Sequence, residues 1–135
     1  MRAVADTGLL KALLDRNDPY HPWAMDVFPQ HAPWMTCEAV LTEAAYLSRA
    51  PHAVMQLVAR GDLRVRFSAE SEAKRLSGLL AKYQDYGMDL ADACLVRMAE
   101  LENAAVIYTL DRKDFNVYRK EGDQPVPCVF PSEVR

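Results

Sequence analysis

The chain has 135 residues, half of them apolar, and carries 16 Lys and Arg against 19 Asp and Glu for a formal net charge of −3. That length suits one compact domain with a real core, so a single domain over residues 1–135 is expected. The apolar stretches are far too short for a membrane-spanning helix and the start lacks a basic-then-apolar leader profile, which points to a cytoplasmic chain with no membrane partner.

In chain order, Arg2-Ala-Val-Ala-Asp6-Thr-Gly-Leu reads as a strand over about 2–6 that ends in an acid. A Thr-Gly turn follows, then a helix from about 8 to 16 that Asn17-Asp18-Pro19 closes. A second helical piece covers about 22–29 with Pro22 in its first turn. Pro33-Trp-Met-Thr is a short strand that feeds a helix carrying Glu43, and another helix runs from Ala50-Pro51 through Arg60, where Gly61 takes the cap position. Leu63, Val65 and Phe67 alternate with polar residues, as in an edge strand with one wet face. Ser68 is expected to cap a long helix from Ala69 to Tyr83, and Tyr86-Gly87 separates it from a helix over Asp89–Asn103. Ala105–Thr109 reads as a central strand, and Val126–Phe130, set between prolines, as an edge strand. Alternating strands and helices, with strand runs that lack polar alternation, predict an α/β fold: a three-layer α/β/α sandwich around a mainly parallel sheet.

Four acids stand beside apolar runs: Asp6, Glu43, Asp92 and Asp111. Asp6 and Asp111 end strands, and in open α/β sheets the ligand crevice lies outside the carboxyl ends where strand order reverses. Val40, Glu43, Ala44 and Leu47 share one helical face, and Asp92 shares its face with Leu95, Val96 and Ala99, which turns both acids inward. An ionised carboxylate among apolar groups takes up a proton unless a partner or a metal compensates. Structural readings compete with this one. Asp89 and Asp92 suit an N-cap and an N3 acid, Asp6 can cap the following helix, Asp111 can start a turn before Arg112-Lys113, and Glu43 can meet Arg49 or Arg97 as a buried partner.

Together these stretches, Ala5-Asp-Thr-Gly-Leu-Leu, Thr36 through Leu47, Met88-Asp-Leu-Ala-Asp-Ala-Cys-Leu-Val and Thr109-Leu-Asp-Arg-Lys-Asp-Phe115, carry a family resemblance. The chain resembles the PIN-domain ribonucleases, and among them the VapC-type toxins of toxin–antitoxin pairs. Each motif alone is common, but the ordered set spans nearly the whole chain and leaves only the last twenty or so residues unmarked. The resemblance implies a PIN-like nuclease domain over 1–135, with Asp6, Glu43, Asp92 and Asp111 as the acidic constellation. Thr7 and Asp114 lie near the site by the same resemblance, while Asp89 and Thr109 stand behind it. It further implies an RNA substrate, a homodimer and a small cognate antitoxin whose segment lies in an apolar groove. Trp23, Phe28 and Trp34 are candidates for that groove, although their spacing suits core residues equally well.

Carboxylate oxygens suit Mg²⁺, with Mn²⁺ as the alternative. Hydrolysis by an in-line water then leaves 5′-phosphate and 3′-hydroxyl ends. The net negative charge argues against a nucleic-acid partner only at first sight. Setting the four acids aside leaves 19 − 4 = 15 acids against 16 Lys and Arg. Arg112, Lys113 and Arg49 are candidate phosphate contacts, and Lys74-Arg75 and Arg119-Lys120 read as solvated charge. Cys37, Cys94 and Cys128 lack paired spacing, and His21, His31 and His52 lack ligand spacing, so neither a disulfide framework nor a zinc site is expected. An aspartic protease built on Asp6-Thr-Gly conflicts with the many helical faces, and a receiver domain conflicts with the order of the acids. The stronger rival is a catalytically inactive PIN-like module that binds RNA or protein.

Overall fold

The computed structural model describes residues 1–132. Its strands are β1 (Arg2–Ala5), β2 (Trp34–Thr36), β3 (Leu63–Val65), β4 (Ala105–Tyr108), β5 (Arg119–Lys120), β6 (Gln124–Pro125) and β7 (Cys128–Val129). Its helices are α1 (Thr7–Leu14), α2 (His21–His31), α3 (Glu38–Ser48), α4 (Pro51–Ala59), α5 (Ala73–Lys82), α6 (Leu90–Leu101) and α7 (Arg112–Val117).

Five strands form one parallel sheet in the order β3-β2-β1-β4-β7. Parallel neighbours need a crossover, and helices supply it after each of the first four strands. The sheet is buried on both sides at its centre, where Val4, Ala5, Ile107 and Tyr108 are core residues, which is why those strands read as unbroken apolar runs. Helix α1 packs on α2 and α3, α3 on α4, and α5 on α6, completing the α/β/α sandwich expected from the sequence.

Several local expectations change. Asp6 is followed at once by helix rather than by a Thr-Gly turn, since Thr7 and Gly8 already belong to α1. Ser68 accepts from the Ser71 amide in a turn, and the helix forms only from Ala73, so the segment before it is shorter in helix than its composition suggests. The alternating run 63–67 is regular only through Val65, though it does lie at the sheet edge. Val126–Phe130 contributes only Cys128 and Val129 to the opposite edge. Arg119-Lys120 is not a solvated run. It pairs with Gln124-Pro125 in a small antiparallel hairpin, with the Arg119 guanidinium donating to the carbonyls of Asn116, Val117 and Tyr118. Nor do Phe28 and Trp34 line a groove: both are buried, with rings stacked 5.6 Å apart, and the Trp34 indole donates to the Phe28 carbonyl. Trp23 is partly buried against the same core.

Candidate functional site: an acidic cleft at the carboxyl end of the sheet

Strand order reverses at β1: β2 and β3 follow on one side, while β4 lies on the other. Asp6 directly follows β1 and donates its amide to the carbonyl of Tyr108, the last residue of β4. The two strand ends are therefore locked side by side, as the switch-point argument requires. Gly8 permits this closeness. A Cβ there would lie 2.8 Å from Cγ of Leu110, in the loop that leads to Asp111.

The cleft above these ends is lined by Asp6, Glu43, Asp89, Asp92, Asp111 and Asp114, together with Thr7 and Thr109. Its volume is about 320 Å³. All four acids singled out in the sequence thus reach one cavity, although two come from α3 and α6 and two from the caps of α1 and α7 that follow β1 and β4.

Each is held differently. Asp6 is buried; its carboxylate accepts from the Thr7 amide at 2.6 Å and from the Thr109 hydroxyl at 2.6 Å. Thr109 in turn accepts from the Asp111 amide, so one hydroxyl fixes both strand-end acids. Asp92 accepts from the Tyr118 hydroxyl at 2.8 Å, while its amide is capped by Asp89. Asp111 caps α7 by accepting from the Asp114 amide. The capping readings of Asp89, Asp6 and Asp111 therefore hold beside their places in the cleft, because a cap occupies one lone pair and each carboxylate oxygen offers two, even in Asp6, whose second oxygen accepts from Thr109. Glu43 is half-buried and makes no hydrogen bond or ion pair among the described residues, and Arg97, a candidate partner, is taken by Glu72 and Glu100.

This crowding raises the carboxyl pKa values. Burial lifts Asp6 from the usual 3.8 to about 6, against the hydrogen bonds from Thr109 and Thr7, with Glu43 and Asp111 adding repulsion. Burial lifts Asp92 to about 7, opposed by the Tyr118 hydrogen bond and aided by Asp89, Asp6 and Asp111. Asp111 is raised as well, first by burial. A set of acids that resists shedding its protons is electrostatically prepared for a cation.

Two further observations fit a hard cation. One carboxylate oxygen each from Asp92, Asp111 and Asp114 lie within 4.8 Å of one another. The Thr7 hydroxyl, beside Asp6, is the one buried side-chain polar atom without a protein partner among the described residues. The donor set is all oxygen, which suits Mg²⁺ or Mn²⁺ rather than a softer ion.

Sequence reasoning missed Tyr118 and Lys11. Tyr118 is fully buried and 26 residues from Asp92, so no local pattern marked it. Lys11 lines the cleft but is engaged by Asp15 and Asp18 at 3.0 and 2.8 Å; its place four residues after Thr7, on the same helical face, was the available signal. Arg112 is a correction. Its guanidinium donates to the Pro131 carbonyl and lies 4.5 Å over the Phe130 ring, so it braces the C-terminal segment instead of lining the cleft. Lys113 and Arg49 are exposed and do not line it either.

The sequence model of the PIN domain matches residues 3–121, which contain every acid of the cleft. The chain belongs to the PIN-domain family. It is also 28% identical to Ribonuclease VapC26 of Mycobacterium tuberculosis over 126 residues, which is 88% of this chain and 93% of that protein. The similarity to a VapC protein agrees with the VapC-type resemblance carried by the motifs.

Proposed function

We propose that this PIN-domain protein is a divalent-cation-dependent endoribonuclease and the toxin of a toxin–antitoxin pair. The observation that carries the reading is the convergence of Asp6, Glu43, Asp92, Asp111 and Asp114 on one cleft, where burial raises the pKa of three of them. Asp92, Asp111 and Asp114 are the nearest set for holding Mg²⁺ or Mn²⁺, with Asp6 behind them, fixed by Thr7 and Thr109. Such an ion, when bound, would acidify water and offset charge on a scissile phosphate. Glu43, without an internal partner among the described residues, would orient water and accept its proton. Tyr118 holds the Asp92 carboxylate, and Asp89 holds the start of α6 that presents it. A water that displaces the 3′ oxygen in line leaves 5′-phosphate and 3′-hydroxyl products.

Similarity to a VapC ribonuclease supports RNA as the substrate. The toxin role, the homodimer and the small antitoxin follow from the VapC-type resemblance. Leu47, half exposed on α3 and lining the cleft, gives an antitoxin segment an apolar contact next to the acids. No helix of the described residues is long and apolar enough to cross a membrane, and action in the cytoplasm follows from the VapC-type resemblance.

The test is an end-mapped RNA digestion series in Mg²⁺, Mn²⁺ and chelator, run beside Asp92→Asn. Cleavage that needs the ion and Asp92 and leaves 5′-phosphates supports the proposal. Cyclic phosphate ends in chelator would overturn it, and binding without cleavage in either ion would identify an inactive RNA-binding module. Co-purification with a small, separately encoded protein tests the toxin assignment.

A further inference from the structure

One face of the sheet, on its β1-β2-β3 side, carries a second cleft of different chemistry. It has a volume of about 240 Å³ and an apolar floor made by Val4, Met35, Phe67, Met98, Leu101 and Ala105. Arg2, Arg64 and Arg66 stand around it, with Glu102 as the sole acid of the lining.

The strand register explains this grouping. Val4 pairs with Met35, and Met35 with Arg64, in parallel ladders, so these side chains share one face of the sheet. Arg2 and Arg66 lie two residues from Val4 and Arg64, and alternation brings them to the same face. Helix α6 borders the cleft through Met98 and Leu101, and the edge strand β3 lies beyond it. Arg64 is thereby left exposed on a sheet whose centre is covered.

The charges are largely uncommitted. Arg64 and Arg66 make no hydrogen bond and no ion pair among the described residues. Arg2 approaches Glu102 only at 3.9 Å, with both side chains about half exposed, a contact that solvent screens. In a chain of net charge −3, such a group of guanidiniums over an apolar floor is the opposite of the acidic cleft and calls for an anion with a flat apolar part. The volume falls below the ~300 Å³ at which pockets for drug-sized ligands begin, which suits a single base better than a larger group.

We propose that this cleft binds one unstacked nucleotide of an RNA strand, with the base against the Phe67 and methionine floor and neighbouring phosphates on Arg64, Arg66 and Arg2. Base stacking on an aromatic ring beside a cationic rim is the general chemistry of single-strand binding. The site rests on the ribonuclease reading and deepens it by giving a long substrate an anchor in a cleft that shares no lining residue with the acidic one.

The experiment measures binding of a labelled single-stranded RNA to the full chain in chelator by fluorescence anisotropy, across a salt series. Arg64→Glu/Arg66→Glu is compared with Arg64→Lys/Arg66→Lys and with Arg16→Glu/Lys74→Glu, an equal charge change at exposed residues outside the cleft. The first pair is expected to weaken binding about tenfold or more and to reduce the salt slope by roughly two contacts. The lysine pair keeps most of the slope, and the remote pair has little effect. Phe67→Ala weakens binding about fivefold without changing the slope. In Mn²⁺, the Arg64→Glu/Arg66→Glu form should show a raised KM for long RNA, an unchanged kcat, and an unchanged rate on a dinucleotide. Equal losses from the remote pair, or unaltered affinity in the first, overturn the site. A first pair that changes only the sedimentation of the protein, not its RNA affinity, overturns it in favour of a contact between copies. Arginine-dependent RNA binding without hydrolysis would leave this site standing and remove the nuclease reading instead.

Discussion

The two clefts of the molecule treat charge in opposite ways. At the carboxyl end, Asp6, Asp92 and Asp111 are held by defined donors in a crowded cavity, and burial raises their pKa values. In the cleft that α6 borders, Arg64 and Arg66 are exposed and, among the described residues, unpaired over an apolar floor. Topology accounts for the difference. The acidic cleft lies where strand order reverses and helices α1, α3, α6 and α7 all present residues to one point, whereas Arg64 and Arg66 lie on and just after β3, at an edge of the sheet. Preorganised groups suit a site where geometry decides rate, and uncommitted guanidiniums suit a site where contact decides affinity.

The largest expected effects break the acidic end. Asp6→Asn, Asp92→Asn and Asp111→Asn should each lower RNA hydrolysis by more than about 100-fold, in single-turnover assays with saturating Mn²⁺. Glu43→Gln should cut the rate as steeply while leaving Mn²⁺ affinity, measured by calorimetry, within about tenfold, because it has no partner in the carboxylate group formed by Asp92, Asp111 and Asp114. An Asp92→Asn form that cleaves at the full rate would break the assignment of the cleft.

Next comes stability against pH. A buried carboxyl with a raised pKa binds its proton more tightly in the folded chain than in the unfolded one. Without metal, the contribution of Asp6 and Asp92 to stability is therefore intact below pH 4 and is lost as pH rises through about 6 and about 7. For Asp6 the loss is on the order of 3 kcal/mol. Melting curves in chelator should show the fall between pH 5 and pH 8, and Mn²⁺ should restore stability at pH 8 far more than at pH 5. An ion effect equal at both would separate metal binding from these carboxyls.

Smaller effects sharpen the contrast. Gly8→Ala places a methyl group 2.8 Å from the Leu110 side chain, pushing apart the two strand ends that carry Asp6 and Asp111. The overpacking should cost about 1–3 kcal/mol by denaturant unfolding and lower hydrolysis with it. Tyr118→Phe removes the donor to Asp92 and should weaken Mn²⁺ binding about 10-fold, with a stability change of about 1 kcal/mol. It should also raise the pKa of Asp92 further, which a carboxyl-detected titration would follow, since that hydrogen bond favours the charged form.

Much of the site was legible because its acids sit at positions with a local signature. Asp6 and Asp111 follow apolar strand runs, and Glu43 and Asp92 fall on apolar helical faces, so period and propensity alone oriented them. Asp89 was legible as a cap for the same reason: the amide of Asp92 lies three residues away. Tyr118 had no such mark, because its link to Asp92 exists only after α6 and the end of α7 pack together. Arg112 misled because basic residues beside an acid suggest phosphate, and nothing local shows that Phe130 and Pro131 will attract the guanidinium. The segment before α5 misled through composition: its residues favour helix, but the turn held by Ser68 delays it to Ala73.

The sequence by itself determined the alternation of strands and helices, the parallel character of the sheet and the identity of the acids, since each is set by spacing over a few residues. Tertiary structure alone decided which acids draw close enough to share an ion, that Asp114 joins Asp92 and Asp111, and that Thr109 ties Asp6 to Asp111. It alone also brought Arg2, Arg64 and Arg66 to one face. Those facts depend on distances between residues far apart in the chain, which are fixed by sheet order and register rather than by any local preference.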